Sequence, residues 1–349
     1  MGRKKVTIRD VAAAAGTSIA TVSRVINNTD YPVSDELSDR IKQVMKELNY
    51  TAGPSTKSGS RGDTMDIGIS IPSLSNPFYM QTLLGISSVI RESKCNMLPF
   101  NAFCSKEEEN EYLDMLCRRK VKGVIISPVS NSIDNLQKYM DQGMKFVLLD
   151  QRVEGCFCPS INFDSRKGAR MAMRYFAECG HKKIALATTP LTRWTREEIH
   201  KGYKEGLQEA GISYDASMVF VSEMEPSMDD ADYEINVGKE LAGKIIASEC
   251  GATAVLCVND MVAFGVIRTL ATSGVKVPDD VSVIGFDDIP FAKNYLPALT
   301  TIKYPAYELG KLAATLLMVN INNDGASVDL NMHVEPQLIE RETVKSIKK

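Results

Sequence analysis

Residues 6–28 read VTIRDVAAAAGTSIATVSRVINN, and this stretch decides how the N-terminal part of the chain folds. Thr7 is placed to cap a first helix, which Gly16 ends, and Ser18 is placed to cap a second helix. A separation of about three residues between two helices is typical of a helix-turn-helix. The stretch therefore predicts a helical head that begins with this motif.

The second predicted helix has two different faces when its residues are placed at about 100° intervals. The apolar face can pack on the first helix and contains Val22, Val25 and Ile26. The other face contains Ala20, Ser23, Arg24 and Asn27, with Ile19 at the boundary. Small residues around one long cation allow a helix to lie deep in the major groove of DNA, where a guanidinium can bind guanine O6 and N7. The alternative is an ordinary helical hairpin with a solvated polar face.

Residues 34–49 predict a third helix. Ser34 can act as its N-cap, and Asp35 and Glu36 lie in the first turn, where the helix dipole favours negative charge. Apolar residues recur at helical spacing and give the helix a buried face: Leu37, Ile41, Val44, Met45 and Leu48.

Charge is distributed unevenly along the 349 residues. Residues 1–62 contain 10 Lys/Arg and 6 Asp/Glu, whereas the remaining 287 residues contain 31 basic and 38 acidic ones. A basic head on an acidic body indicates that one end meets a polyanion. The basic N-terminus is not followed by an apolar signal-peptide segment, and no run approaches the length of a membrane span, so we expect a cytoplasmic protein.

From Asp66 onward, strand-like and helix-like segments alternate in two series. The first series predicts strands at 66–72, 94–100, 121–128 and 145–150, with helices beginning near Pro77, Ser105 and Ser132. The second series predicts strands at 182–188, 218–222, 253–259 and 281–288, with helices near 164–179, 195–211, 229–250 and 260–273. This alternation predicts an α/β body of two parallel-sheet lobes behind the all-α head.

Several function classes are disfavoured by what the body lacks. The sequence has neither a G-x-G-x-x-G nor a Walker A motif, so enzymes that use those nucleotide sites are disfavoured. The 8 cysteines are scattered and only 3 histidines are present, so we expect no metal and no cofactor. Asp287 and Asp288 could do acid–base chemistry, but no nucleophile–base arrangement accompanies them.

The residues that follow the predicted strands suggest a ligand pocket, because ligands of parallel sheets bind beyond the carboxyl ends of the strands. These residues are Ser75, Asn76, Phe78, Tyr79, Asp150, Arg152, Trp194, Arg196, Asn259, Asp260, Asp287 and Asp288. Aromatic rings with carboxylates and amides suit a polyhydroxylated ligand. Each has an ordinary alternative: Asp150 can cap a turn, Asn259 can start a helix, and Trp194 can be a core residue.

Taken together, residues 6–50 closely resemble the DNA-binding head of the lactose-repressor (LacI/GalR) family. The body resembles the same family's effector-binding core, itself similar to periplasmic sugar-binding proteins. The matching signatures include SNPFY (75–79), LLDQR (148–152), VNDMVAFGVIRTL (258–270) and VPDDVSVIGFDD (277–288). By position, the family's base-reading residues fall on Ile19, Ala20 and Arg24. Its effector contacts fall on Asp150, Phe163, Asn259, Asp287 and Tyr304.

Pattern and resemblance together give a set of predicted domains and sites. The domains are a head (1–50), a hinge (51–65), a core (66–341) and a tail (342–349). Within the core, a first lobe takes 66–163 and 306–322, and a second takes 164–291 and 323–341. The predicted DNA contacts are Thr7, Thr17, Ser18, Ile19, Ala20, Thr21, Ser23, Arg24 and Asn27. The predicted effector contacts are Ser75, Phe78, Tyr79, Asp150, Phe163, Trp194, Arg196, Asn259, Asp287 and Tyr304.

Two positions depart from the family pattern. Ile199 stands where the family has an effector-binding arginine, and Arg196 lies one turn earlier as a substitute. In the hinge, which includes Ser55 and Thr56, Gly59 stands at the position of a leucine that the family wedges into the minor groove. Glycine costs about 1 kcal/mol against alanine in a helix and has nothing to insert. We therefore expect weaker coupling between ligand and operator than in relatives that keep the leucine.

The resemblance implies a homodimeric repressor that binds a near-palindromic operator of a carbohydrate-utilisation operon. A small polar effector, a sugar or derivative, would bind between the two lobes. Three alternatives remain open: control by a protein co-regulator or a non-sugar effector, a sugar-binding transport protein, and a sugar-processing enzyme. The transport protein would need an export signal and no head, and we expect no enzymatic activity.

Overall fold

The computed structural model describes residues 6–26, 33–48, 50, 64–227, 230–323 and 331–348. The chain divides into two compact units, of which the first ends at Asp63 and the second begins at Thr64. Over the described residues, every helix is too short or too polar to span a bilayer.

Three helices form the head: α1 (Ile8–Ala14), α2 (Ile19–Ile26) and α3 (Asp35–Glu47). The Ser18 hydroxyl accepts a hydrogen bond from the amide of Thr21 at 3.1 Å and so caps α2. Gly16 adopts φ +62°, a left-handed conformation that ends α1 and suits glycine. Ser34 occupies the N-cap position of α3, but its side chain accepts no capping hydrogen bond there, contrary to the sequence expectation.

A small apolar core holds these helices together. Val11 and Ala15 of the first helical segment, Val22 of α2 and Ile41 of α3 are almost completely buried. Val25 and Ile26 pack against this cluster while remaining partly exposed. The apolar face that the helical wheel predicts for α2 is therefore the face that meets α1 and α3.

The described residues of the second unit form twelve strands and eight further α-helices. The strands are β1 (Asp66–Ile71), β2 (Asn96–Asn101), β3 (Gly123–Ile126), β4 (Lys145–Leu149), β5 (Ser160–Phe163), β6 (Ile184–Thr188), β7 (Val219–Val221), β8 (Ala254–Cys257), β9 (Ser282–Asp287), β10 (Thr300–Lys303), β11 (Asn331–Val334) and β12 (Gln337–Ile339). The helices are α4 (Pro77–Glu92), α5 (Lys106–Arg118), α6 (Asp134–Met140), α7 (Ser165–Glu178), α8 (Trp194–Glu209), α9 (Tyr233–Ala247), α10 (Asp260–Thr272) and α11 (Ala306–Asn322), with a short 3-10 helix at Ala216–Met218.

These elements form two lobes, each around a six-stranded sheet. The first lobe has the strand order β11-β5-β4-β3-β1-β2 and the second has β12-β10-β9-β8-β6-β7. Neighbouring strands are parallel, with one exception at the edge of the second sheet, where β12 runs antiparallel to β10. The central strands are buried on both faces, as their continuous apolar sequences predict.

The chain crosses between the lobes three times, after β5, after β10 and after β11. This corrects one predicted boundary, because β11 pairs with β5 in the first lobe although residues 323–341 were assigned to the second. The predicted tail is also wrong, since residues 342–348 are tied to the second lobe. The hydroxyl of Thr343 donates to the carbonyl of Val283 at 2.7 Å, and the backbone amide of Ile347 donates to the carbonyl of Cys179 at 2.8 Å. The other domain boundaries stay predictions.

Helices within each lobe pack closely through glycines. In the α9–α10 pair, a Cβ built on Gly238 would lie 2.1 Å from the carbonyl oxygen of Val262. A Cβ on Gly265 would likewise lie 2.1 Å from the carbonyl oxygen of Ile235. The backbones of these helices therefore approach more closely than any residue with a side chain allows.

Candidate functional site

The exposed face of α2 carries the residues predicted to meet DNA. Ile19 is 44% exposed, which places it outside the core of the head, and Ala20 beside it is also exposed. Ser23 and Arg24 are half-buried on the same helix. This face of α2 thus carries small side chains next to the guanidinium of Arg24, as the sequence predicts.

The other predicted DNA contacts lie near the start of the two helices. Thr7 and Ser18 are exposed, and Thr17 and Thr21 are half-buried. Asn27 and the hinge positions Ser55, Thr56 and Gly59 lie outside the described residues. Their predicted roles stay predictions.

A second candidate site is the cleft between the two lobes, where the carboxyl ends of both sheets face each other. The water-accessible volume of this cleft is about 40 Å³, enough for roughly three water molecules. The lining residues are Pro72, Ser73, Asn76, Phe78, Tyr79, Cys104, Asp150, Arg193, Thr195, Arg196, Tyr233, Glu234, Val258, Asn259, Asp287 and Tyr304.

Seven predicted effector contacts lie on this wall: Phe78, Tyr79, Asp150, Arg196, Asn259, Asp287 and Tyr304. Three predicted contacts do not. Ser75 is exposed and lies 2.8 Å, Oγ to Oγ, from Ser73; Phe163 is fully buried behind Tyr304; and Trp194 packs with the guanidinium of Arg152 at 5.4 Å. Their neighbours in the sequence, Ser73 and Arg193, reach the wall instead.

Two aspartates on the wall have unusual backbone conformations at strand ends. Asp150 follows β4 with φ +57°, and Asp287 ends β9 with φ +119°. Residues other than glycine adopt positive φ at a cost of roughly 1–3 kcal/mol, and such residues cluster at binding sites. The turns that aim these carboxylates into the cleft are therefore maintained by the packing around them.

The wall also contains residues that sequence reasoning missed, above all Arg193 and Glu234. A terminal nitrogen of Arg193, from the second lobe, donates to the hydroxyls of Ser127 at 3.2 Å and Tyr79 at 3.4 Å in the first. Ile199, at the position of the family's arginine, is buried in α8 with 1% exposure. The guanidinium that enters the cleft belongs instead to Arg193, the N-cap residue of α8. The sequence feature that could have identified Arg193 is its position directly before Trp194, a predicted effector contact.

Hydrogen bonds join the two lobes directly across the cleft. The carboxylate of Glu234, at the start of α9, accepts a hydrogen bond from the side-chain amide of Asn76 in the first lobe at 2.8 Å. The same carboxylate accepts from the amide of Asn259 in the second lobe at 2.7 Å. The amide of Gln151 also donates across the cleft, to the hydroxyl of Thr195 at 2.9 Å. Hydrogen bonds between side chains of the two lobes thus stabilise this arrangement of the lobes.

The carboxylates of the cleft are held at a desolvation cost. Burial raises the pKa of Asp150 to about 6, although Arg193 lowers it in part. Burial and the neighbouring Asp260 raise the pKa of Asp287 well above its ordinary value. One oxygen of Asp150, Oδ1, has no hydrogen-bond partner among the described residues. These acids need hydrogen-bond donors from whatever enters the cleft.

Glu109 of α5, next to the cleft, gives a testable pH dependence. It is 0% exposed, and burial raises its pKa from 4.5 to about 7. The folded protein then binds more protons than the unfolded chain between these values, so stability falls as pH rises through this window. A shift of this size corresponds to about 3 kcal/mol. We expect Glu109→Gln to remove this loss, so that its stability relative to the wild type rises by about 3 kcal/mol from pH 4.5 to 8.

Chemical denaturation at both pH values measures this difference. Glu111→Gln, at an exposed position of the same helix, is the control and should follow the wild type at each pH. A pH-independent difference between Glu109→Gln and the wild type would contradict the raised pKa.

Comparisons with known proteins match both units. Residues 7–52 match the model of bacterial regulatory proteins of the lacI family, and residues 173–344 match a periplasmic binding protein-like domain. The HTH-type transcriptional repressor PurR of Vibrio atlanticus is 31% identical over 344 residues, covering 98% of this chain and 99% of that protein.

Solved structures agree in fold over nearly the whole chain. The lac repressor dimer bound to operator and the anti-inducer ONPF superposes with a TM-score of 0.71 at 25% identity, covering 98% of this chain and 100% of that one. The transcriptional regulator CelR in complex with cellobiose gives 0.70 at 25% identity, covering 97% and 100%. These proteins are transcriptional regulators and not enzymes. The chain belongs to the LacI family of bacterial DNA-binding transcriptional repressors.

Proposed function

We propose that this repressor is controlled by a small polyhydroxylated effector, a sugar or sugar derivative, bound in the interlobe cleft. It acts as a homodimer whose two heads bind a near-palindromic operator of a carbohydrate-utilisation operon. The observation that carries the proposal is the cleft wall itself, to which both lobes contribute polar side chains that meet across it.

The chemistry of the wall supports a polyhydroxylated ligand. Four aromatic rings lie on it and can cover C–H faces: Phe78, Tyr79, Tyr233 and Tyr304. Asp150 and Asp287 can accept hydrogen bonds from hydroxyl groups. A sugar bound to the related regulator CelR, namely cellobiose, is consistent with this class of ligand.

Control would operate through the lobe angle. A ligand in the cleft must replace or rearrange contacts such as Asn76–Glu234 and Arg193–Ser127, which join the lobes. A ligand shifts the equilibrium between two lobe arrangements only as far as its affinities for them differ. Coupling of this kind typically changes the affinity of a second site by about 1–3 kcal/mol.

Fluorescence anisotropy with the full-length protein tests the proposal. A labelled duplex selected from a random pool would be titrated with and without members of a panel of sugars. We expect at least one sugar to change operator affinity toward the lower end of a range of about 5- to 150-fold, because Gly59 replaces the hinge leucine. A sugar that binds the core, detected by calorimetry, without changing operator affinity would overturn control through the cleft.

A further inference from the structure

Glu234 occupies a position that would otherwise attract an anionic ligand. Its partners Asn76 and Asn259 are 4% and 2% exposed, and they are the N-cap residues of α4 and α10. The two side-chain amides converge on the two carboxylate oxygens of Glu234 from opposite lobes. A negative charge at two helix N-termini is the arrangement that helix dipoles and capping donors favour.

The orientation of the two asparagines is fixed by the helices they cap. Oδ1 of Asn76 accepts from the amide of Phe78 at 2.9 Å, and Oδ1 of Asn259 accepts from the amide of Val262 at 2.8 Å. Turning either side chain over would break the hydrogen bond that caps its helix. Both therefore present N–H donors to the cleft, and Glu234 uses one from each.

The charges of the wall point in the same direction. Three acidic side chains, Asp150, Glu234 and Asp287, line the cleft together with two guanidiniums, Arg193 and Arg196. Hydrogen-bond donors on a ligand would offset the cost of burying these acidic groups, and a positive charge on the ligand would offset more of it. A ligand anion would have to displace Glu234 and would add negative charge next to Asp150.

We propose that Glu234 determines the charge class of the effector: the cleft accepts neutral or cationic ligands rich in hydrogen-bond donors and excludes those that carry a carboxylate or phosphate. The inference rests on the proposed function of the cleft as the effector site. It identifies Glu234 as a specificity-determining residue, which acts as a built-in anion between the lobes.

Sulfate is a suitable probe, and Trp194 is a suitable reporter. Trp194 is the single tryptophan of the chain, and its neighbours Arg193 and Thr195 line the cleft. Full-length protein would be titrated with sodium sulfate against sodium chloride at matched ionic strength. We expect Glu234→Gln to bind sulfate at least about tenfold more tightly than the wild type, a ratio that corresponds to about 1.4 kcal/mol.

A second variant and a control keep the outcome decisive. Asp150→Asn also removes one acid of the wall, and asparagine tolerates the positive φ at this position, so it should gain sulfate binding too. Asp279→Asn removes an exposed carboxylate outside the cleft and should behave as the wild type. Sulfate binding to the wild type as tight as to Glu234→Gln, or no gain in either cleft variant, would overturn the inference.

The result separates this inference from the proposed function. If the cleft variants gain sulfate binding but no sugar changes operator affinity in the wild type, the charge rule holds and effector control fails. If a sugar controls operator binding while the cleft variants gain no sulfate binding, effector control holds and the role of Glu234 fails.

Discussion

Replacing Gly238 with alanine is expected to lower the free energy of unfolding of the core by about 3 kcal/mol. The new Cβ would lie 2.1 Å from the carbonyl oxygen of Val262 and 2.9 Å from the Cα of Gly265. Both contacts are with backbone, so no side-chain rotation can relieve them, and α9 and α10 must move apart. Alanine is otherwise better than glycine in a helix by about 1 kcal/mol, so a loss identifies the packing as its cause.

Gly243 on the same helix is the matched control. A Cβ there would meet nothing within 4 Å, so Gly243→Ala should raise stability by about 1 kcal/mol. Urea denaturation of the two variants and the wild type measures both signs. Equal effects of the two substitutions would show that α9 and α10 do not pack through Gly238.

The same substitution should also disturb the cleft. Gly238 lies one turn after Glu234 on α9, so a displacement of this helix moves the carboxylate that Asn76 and Asn259 hold. Packing between two helices of one lobe thus contributes to the hydrogen bonds that join both lobes.

Arg24→Ala is expected to remove most of the preference of the head for a particular operator over random duplex. A bidentate contact from arginine to guanine contributes about 1–3 kcal/mol of discrimination. In the proposed dimer this contact would occur in both half-sites, so the combined loss is about 2–6 kcal/mol. Competition between a selected operator and random duplex in an anisotropy assay measures the ratio of the two affinities.

Arg40→Ala is the charge-matched control, since Arg40 is exposed on α3 of the same head. Loss of a cation that meets only phosphates weakens binding to all sequences alike and makes it less dependent on salt. Arg40→Ala should therefore keep the preference that Arg24→Ala loses. An unchanged preference in Arg24→Ala would refute base reading by α2.

Sequence reasoning predicts the strands that are decided locally. β8 is a continuous apolar run, β9 has an apolar centre between Ser282 and Asp287, and the structure buries both strands. β5, β10, β11 and β12 were not predicted, because each is short and mixes polar with apolar residues. Their pairing depends on a partner far away in the sequence, which local patterns do not encode.

The candidate site divides in the same way. Asp150, Asn259 and Asp287 follow strands directly, so the strand-end rule is enough to bring them to the cleft. Glu234 and Arg193 reach it because two lobes meet, and their partners lie in the other lobe. No pattern of spacing along the sequence indicates a contact between residues 76 and 234.

The three crossings of the chain have a consequence for synthesis of the protein. One edge strand of the first sheet, β11, and one edge strand of the second, β12, both lie in the segment that begins at Asn331. A nascent chain on the ribosome therefore leaves β5 and β10 unpaired on one side until almost the whole message has been translated. Neither sheet can be completed before this C-terminal segment is synthesised, and unpaired strand edges of this kind favour aggregation.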